Sequence, residues 1–236
     1  YDLVYSLLIV PEHLLRDAGI PVVPSLEHSR QALLESPATV VDEIERQFPY
    51  PVFVKPTQTG SSVGVGKAKT RGELELCLKD AARFDHDVLT EPGYDVREIE
   101  CAVLGGHAPR ASVLGEILPA SEFYDYHAKY QSDTTQLMIP ASLSEDLTRK
   151  LRSLSLLAFR VTKCWGFARV DFFVERGTDR IFLNELNTLP GFTSGSMYPL
   201  LWQASGVELP ELIDQLIELA LVRHTEKRQL VVRYTR

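Results

Sequence analysis

The chain has 236 residues, 44% of them hydrophobic, which is enough to bury one or two ordinary cores and excludes disordered, collagen-like and coiled-coil proteins. Its 32 acidic against 25 basic side chains give a formal charge of -7, which argues against a broad nucleic-acid-binding surface but leaves local basic groups able to hold a phosphate. Three scattered cysteines, Cys77, Cys101 and Cys164, form neither a disulfide framework nor a CxxC zinc site and suit a reducing compartment, so a cytoplasmic location is expected. No apolar run approaches the roughly 20 residues that span a bilayer, and the opening YDLVYSLLIV lacks a basic flank, so no membrane association is expected.

In chain order, residues 1–51 read as a short apolar opening, a helix near 11–18, a Gly/Pro-punctuated passage and helix-compatible sequence at 39–47. Short β runs at 52–55 and 63–67 flank a Gly/Ser turn, and a helix follows with Leu74, Cys77, Leu78 and Ala81 on one face. Strands are expected at 88–91, 97–104 and 111–117. The aromatic, polar stretch 119–140 has no clean period and reads as a functional loop.

Ser144 then caps a helix with Glu145 and Asp146 in its first turn and Leu147, Leu151, Leu154, Ala158 and Val161 as its buried stripe. Two strands, 167–175 and 180–187, lead through a Gly-rich turn to a helix at 210–223 with Leu212, Ile213, Leu216, Ile217 and Ala220 inward. The tail HTEKRQLVVRYTR breaks this pattern and reads as frayed or added. The division expected is 1–51 as an N-terminal remnant and linker, 52–118 as a central subdomain and 119–236 as a C-terminal one.

The sharpest constellation lies on the last two strands. Side chains two apart on a strand share a face, so Arg169 and Asp171 point together, as do Glu185 and Asn187. A hairpin turning near Thr178 sets Asp171 opposite Glu185, with the carboxylates roughly 5 Å apart. Two carboxylates and the Asn187 amide oxygen are hard ligands for Mg²⁺, which leaves its other positions to water and substrate phosphates. The alternative is a solvated acidic face, or a carboxylate neutralised by Arg169. The apolar neighbours Phe167, Val170, Phe172, Phe173, Ile181, Phe182 and Leu183 favour the metal, because unpaired charge on a covered strand pair is costly.

Gly60–Gly66, reading GSSVGVG, can fold over phosphates through backbone N–H groups and serine hydroxyls, with Lys55 at the end of the preceding strand as a point charge. It is no Walker loop, since no Gly-Lys-Ser/Thr ends it, and Gly-x-Gly-x-x-Gly is absent. The competing reading is an ordinary flexible hairpin with a surface lysine. His13, His28, His86, His107, His127 and His224 show no ligand spacing, and Ser61 has no histidine partner nearby in sequence.

Lys55, GSSVGVG, REIE at 97–100, FYDYHAKY at 123–130, ARVDFF at 168–173 and NELNTLPGFTSGSMYP at 184–199 together resemble the D-alanine:D-alanine ligase family over roughly residues 14–224. The resemblance implies an α+β ATP-grasp fold, with two subdomains holding ATP between antiparallel sheets. It implies a homodimer that joins two D-alanines through a D-alanyl phosphate for peptidoglycan synthesis, using ATP and two Mg²⁺ ions, with Mn²⁺ as a substitute.

By position, the resemblance implies that Lys55 and Ser62 bind ATP phosphates, Glu91 with the following backbone faces the adenine, Glu98 holds the ribose, and Tyr94, Phe173 and Asn184 also belong to the nucleotide site. Lys129 would meet the transferred phosphate. Asp171 and Glu185 would hold one ion, and Glu185 with Asn187 the second. Arg169 and the Gly191 N–H would stabilise the acyl phosphate and tetrahedral intermediate, while Ser196 and the Met197 N–H would bind the acceptor carboxylate. Ser61 and Tyr130 would belong to a closing triad, with Tyr124 in the same loop.

The family normally carries a preceding domain that binds the first D-alanine and supplies the triad's glutamate. Residues 1–13 do not resemble it, and Leu8 stands near where a lysine is usual, so the chain is expected to be part of a longer protein. The competing functions are a ligase of the D-alanine:D-lactate type and a non-catalytic Mg-ATP-binding module.

Overall fold

The computed structural model describes residues 12–57, 59, 63–118 and 136–230. These fall into two compact units, one built on Val22–Val96 and the other on Arg97–Ile117 and the segment from Leu137 onward, with the first helix included in the second.

In the first unit, β1 (Leu26–Ser29), α2 (Arg30–Glu35), α3 (Pro37–Gln47), β2 (Val52–Pro56), β3 (Gly66–Ala68), α4 (Arg71–Ala81) and β4 (Asp87–Pro92) form a four-stranded sheet in the order β1-β4-β2-β3, with helices against it. Strand alternation decides which face they cover. Val52 and Val54 are fully buried with Val40, Val41 and Ile44 of α3 and Leu74, Leu78 and Ala81 of α4, while Phe53 and Lys55 point the other way. α4 starts where Thr70 accepts from the Glu73 N–H and the Glu73 carboxylate accepts from the Lys69 N–H at 2.6 Å, giving two otherwise orphaned donors a partner.

The later part of the glycine turn packs tightly. Gly64 has φ +76°, and a Cβ there would stand 2.7 Å from Phe84 Cδ2 and 2.8 Å from Pro56 Cγ. A Cβ at Gly66 would stand 2.5 Å from Cys77 Sγ, so β3 lies directly on α4.

In the second unit, α1 (Glu12–Asp17), β5 (Val96–Gly105), β6 (Arg110–Leu118), β7 (Gln136–Met138), α5 (Glu145–Val161), β8 (Gly166–Glu175), β9 (Ile181–Asn187), α6 (Met197–Ala204) and α7 (Leu209–Arg228) build a sheet in the order β7-β6-β5-β8-β9. Ala102 and Leu104 of β5 pack with Met197, Tyr198, Leu201 and Trp202 of α6 and Leu212 of α7. The residues of opposite parity, Ile99, Cys101, Val103, Val170 and Phe172, are buried as well, so both faces of the sheet are covered. Gly115 of β6 lies beneath α6, where a Cβ would stand 2.8 Å from Met197 Sδ and 3.0 Å from Leu201 Cδ2.

Several expectations are corrected. The passage near residue 26 contains β1, an edge strand paired with β4 from Leu26↔Thr90 to Ser29↔Asp87. Its sequence, LEHS, has one apolar residue, so tertiary pairing rather than local propensity makes it a strand. β5 and β6 share a sheet with β8 and β9, whereas the sequence division grouped 97–118 with the strands before it. In α5 the buried stripe takes in Ser155 and Phe159, while Leu154 and Val161 are half-buried. The Ser155 hydroxyl donates to the Leu151 carbonyl at 2.8 Å, which lets a polar residue occupy the inward position.

A helix not foreseen, α6, follows the Gly-rich turn. In α7, Leu212 is buried, but Ile213, Ile217 and Ala220 are exposed. The helix continues to Arg228, so His224–Arg228 extend it instead of breaking it. Its far end is held by a Trp165 Nε1–H bond to the Leu219 carbonyl at 2.9 Å, by Arg223 over the Trp165 ring and by His107 against Glu226.

At the β8–β9 turn, Glu175 accepts from Arg180 Nε and Nη2, both at 2.7 Å, and from the Thr178 hydroxyl. These bonds hold its carboxyl down at about 2. A carboxylate depressed on folding stabilises above its ordinary range and loses that contribution as pH falls toward the folded value. The melting-temperature difference between wild type and Glu175→Gln is therefore expected to be present at pH 7 and to shrink toward zero near pH 2. A difference that does not change with pH would contradict this.

Candidate active site

In the first unit, the register Phe53↔Glu91 and Lys55↔Leu89 sets Lys55 and Glu91 on the same side of neighbouring strands. Their side chains meet, Lys55 Nζ to Glu91 Oε2 at 2.8 Å, with Glu91 buried and the lysine half-buried. The ammonium that was expected to reach phosphate is thus held by the carboxylate expected near the base. Lys67 on β3 lies over the Phe53 ring at 5.6 Å. Tyr94, half-buried, follows β4. This sheet face offers a paired cation, a carboxylate and an aromatic surface, groups suited to an anionic ligand with a flat ring.

In the second unit the hairpin has the expected register, Asp171↔Glu185 and Arg169↔Asn187. The next pair is Phe172↔Leu183, so Asn184 is an extra residue in β9, a bulge that directly precedes Glu185. Arg169 gathers the charges. Its Nε donates to Asp171 Oδ1 and its Nη2 to Asp171 Oδ2, both at 2.7 Å, a bidentate pair. Glu185 Oε1 lies 3.8 Å from Nη2, and Glu100 Oε2 of β5 lies 3.0 Å from Nε.

Glu100, 4% exposed, is not among the expected site residues, whereas Glu98 of the same REIE run is. Strand parity puts it in line with Ala102 and Leu104, and a carboxylate in a buried apolar row was the available signal. Burial pushes the Glu100 carboxyl well above its ordinary range and Asp171 adds to this, while Arg169 opposes both. Burial works against the Arg169 charge, but Asp171, Glu100 and Glu185 outweigh it and hold the guanidinium above its ordinary value.

Glu98 and Phe173 are half-buried on β5 and β8, and Asn184 is half-buried at the bulge. Asn187 Oδ1 accepts from the Leu189 N–H at 3.2 Å, which uses one of its two acceptor sites. Gly191 and Ser196 come together: a Cβ at Gly191 would stand 2.9 Å from Ser196 Oγ. That hydroxyl also accepts from the Thr193 N–H at 3.0 Å, and Met197, buried, opens α6. Ser61, Ser62, Tyr124, Lys129 and Tyr130 lie outside the described residues.

Among the described residues, no three His, Cys, Asp or Glu side chains form a ready cation cage. The donors nevertheless fit Mg²⁺. Asp171, Glu185 and Asn187 are hard oxygen ligands on one face, too few to enclose an ion and suited to one that keeps water and phosphate ligands. Among the described residues, the cluster carries three carboxylates around one guanidinium, and Glu100 Oε2, although 3.0 Å from Arg169 Nε, is a buried oxygen that accepts no hydrogen bond. No helix among the described residues is long and apolar enough to cross a membrane.

Two helix-backed sheets, one carrying a lysine–glutamate pair and the other an arginine ringed by carboxylates, define an α+β protein equipped for charged ligands. The family model described as D-ala D-ala ligase C-terminus matches residues 14–218. The chain is 48% identical over 225 residues to a D-alanine–D-alanine ligase of Acetivibrio thermocellus and 44% identical over 223 residues to one of Clostridium acetobutylicum. These alignments cover 95% and 94% of this chain, and the chain spans 58% and 64% of those relatives' lengths.

Among solved structures, the D-alanine-D-alanine ligase from Coxiella burnetii superposes with a TM-score of 0.79 at 39% identity, covering 92% of this chain and 57% of that one. The VanG D-Ala:D-Ser ligase from Enterococcus faecalis gives 0.78 at 32%, covering 88% and 59%. The chain belongs to the D-ala D-ala ligase C-terminus family and has its α+β, ATP-grasp fold.

Proposed function

We propose that this chain is the nucleotide- and metal-handling part of an ADP-forming ligase that joins two D-alanines through a D-alanyl phosphate, for peptidoglycan precursor synthesis. The observation that carries the reading is the Asp171↔Glu185 register with Arg169 beside it, in a chain of this family. ATP and divalent metal follow from the family. Two Mg²⁺ ions replaceable by Mn²⁺ and a homodimer complete the proposal on the resemblance alone, and a cytoplasmic setting rests on the three scattered cysteines.

The residue roles follow from charge and position. Lys55 binds phosphate oxygens as a point charge, with Ser62 and the glycine-turn N–H groups as neutral donors. Glu91, Tyr94, Phe173 and Asn184 hold the rest of the nucleotide, and Glu98 the ribose hydroxyls. Asp171, Glu185 and Asn187 hold the cation, which supplies neutralisation of the γ-phosphate charge when bound.

Lys129 meets the transferred phosphoryl group as the first D-alanine carboxylate attacks it. Arg169 and the Gly191 N–H stabilise the oxyanion formed when the second D-alanine's amine attacks the activated carbonyl. Ser196 and the Met197 N–H hold the acceptor carboxylate at the start of α6, where helix N–H groups favour an anion. Ser61, Tyr124 and Tyr130 belong to the segments that exclude water from the acyl phosphate.

The test is ADP release from ATP and Mg²⁺ with and without D-alanine, with the product identified by mass. Release that depends on D-alanine and yields D-alanyl-D-alanine is expected. Mg-ATP binding without such turnover would instead identify a non-catalytic binding module. A second reading, another acceptor such as D-lactate or D-serine, is favoured by the likeness to the D-Ala:D-Ser ligase and is tested in the same assay by offering each acceptor.

A further inference from the structure

We propose that Glu100 is a positioning residue for Arg169, the carboxylate that takes hold of the guanidinium when Asp171 and Glu185 give their oxygens to a divalent cation. This rests on the metal reading above.

Arg169 is surrounded by three carboxylates, at 2.7 Å (Asp171), 3.0 Å (Glu100) and 3.8 Å (Glu185). Its Nε carries a single hydrogen, and that hydrogen goes to Asp171 Oδ1. Glu100 Oε2 touches the same nitrogen yet receives no hydrogen, and among the described residues it is a buried acceptor without a hydrogen bond. An unsatisfied buried carboxylate oxygen is costly.

The three carboxylates differ in what else they can hold. Asp171 and Glu185 are the two that would hold a cation, and a cation on them withdraws Arg169's acceptors while adding like charge beside it. Without a third carboxylate the guanidinium would be driven out of the site. Glu100 lies outside the ligand set, on neighbouring β5, in the buried row that continues through Ala102 and Leu104, so its place is fixed by the core. A small turn of the Nε–H from Asp171 to Glu100 satisfies the orphaned oxygen and keeps Arg169 beside the reacting atoms.

The test is a titration with Mn²⁺ alone, the free ion being counted by its electron paramagnetic resonance signal. It uses the wild type, Glu100→Gln, Arg169→Met and the double variant, each checked for folding by far-ultraviolet circular dichroism. Should Arg169→Met not fold, Arg169→Gln, which carries no charge for Glu100 to hold, takes its place. Because Glu100 acts through Arg169, Glu100→Gln is expected to weaken Mn²⁺ binding about tenfold in the wild type and no more than about twofold in the arginine variant.

Equal weakening in both backgrounds overturns the proposal, since the glutamate then acts on the ion directly by its charge. No weakening in either overturns it as well. A wild type that binds no Mn²⁺ overturns the metal reading itself, and the inference with it. In turnover, Glu100→Gln is expected to lower kcat with the KM for ATP nearly unchanged.

Discussion

Replacing Glu185 with Gln is expected to lower D-alanine-dependent ADP release at least about a hundredfold, the usual scale for removing an electrostatic catalytic group. The substitution keeps the shape of the side chain and removes only its charge. Its side chain is 54% exposed and lies 3.8 Å from the Arg169 guanidinium, so a change of charge here is expected to cost less stability than one at a buried group. Asp171 by contrast is buried and paired bidentately with Arg169, and its loss would leave that charge unsatisfied, mixing stability with catalysis. Glu185 is therefore the cleaner probe. Activity close to wild type, with the variant's unfolding unchanged, would refute the metal role of the hairpin.

Tyr198→Ala is expected to destabilise the second unit by about 3–5 kcal/mol, the range for deleting a buried aromatic side chain. Tyr198→Phe should cost only about 1 kcal/mol, the worth of one buried hydrogen bond. Tyr198 is fully buried, its hydroxyl donates to the Val103 carbonyl at 3.0 Å, and its ring lies 5.6 Å from Phe167 and 5.8 Å from Phe192. Burial also pushes the phenol up, so it is a neutral donor throughout the working pH range. Phe192 follows Gly191, so the same ring supports the loop proposed to meet the reaction intermediate. Urea unfolding followed by fluorescence of Trp165 and Trp202, both in this unit, measures the two costs. Equal losses for the two variants would show that the hydroxyl, not the ring, carries the contribution.

The facing of Asp171 and Glu185 was legible only through a turn placed at Thr178: the pairs from Val174↔Ile181 to Phe172↔Leu183 would continue to Asp171↔Asn184, and it is the extra residue in β9 that brings Glu185 opposite Asp171. The bulge at Asn184 was not legible: an unpaired residue shows only when the second strand's register is known on both sides. Glu100 was missed for a related reason. A glutamate in REIE looks like any alternating strand residue until Ala102 and Leu104 are seen buried in line with it. The pairing of Lys55 with Glu91 needed the β2–β4 register, which no local pattern contains. Ile213 and Ile217 were assigned inward because a 3.6-residue period gives the direction of an apolar stripe but not its width, and only Leu212 lies fully within the contact. α6 hid behind the glycines before it, its eight residues too few to display a period.

Gly115 acts as a spacer whose missing side chain sets how low α6 rides on β6. Met197 and Leu201 settle into the space that any larger residue would fill. Ser196 immediately precedes Met197, so a change of bulk at this distant strand position would be transmitted through the helix as a change of height at its first turn. The reach of that turn toward the acceptor carboxylate proposed to bind there is therefore governed partly from underneath, by a residue outside the proposed contact set.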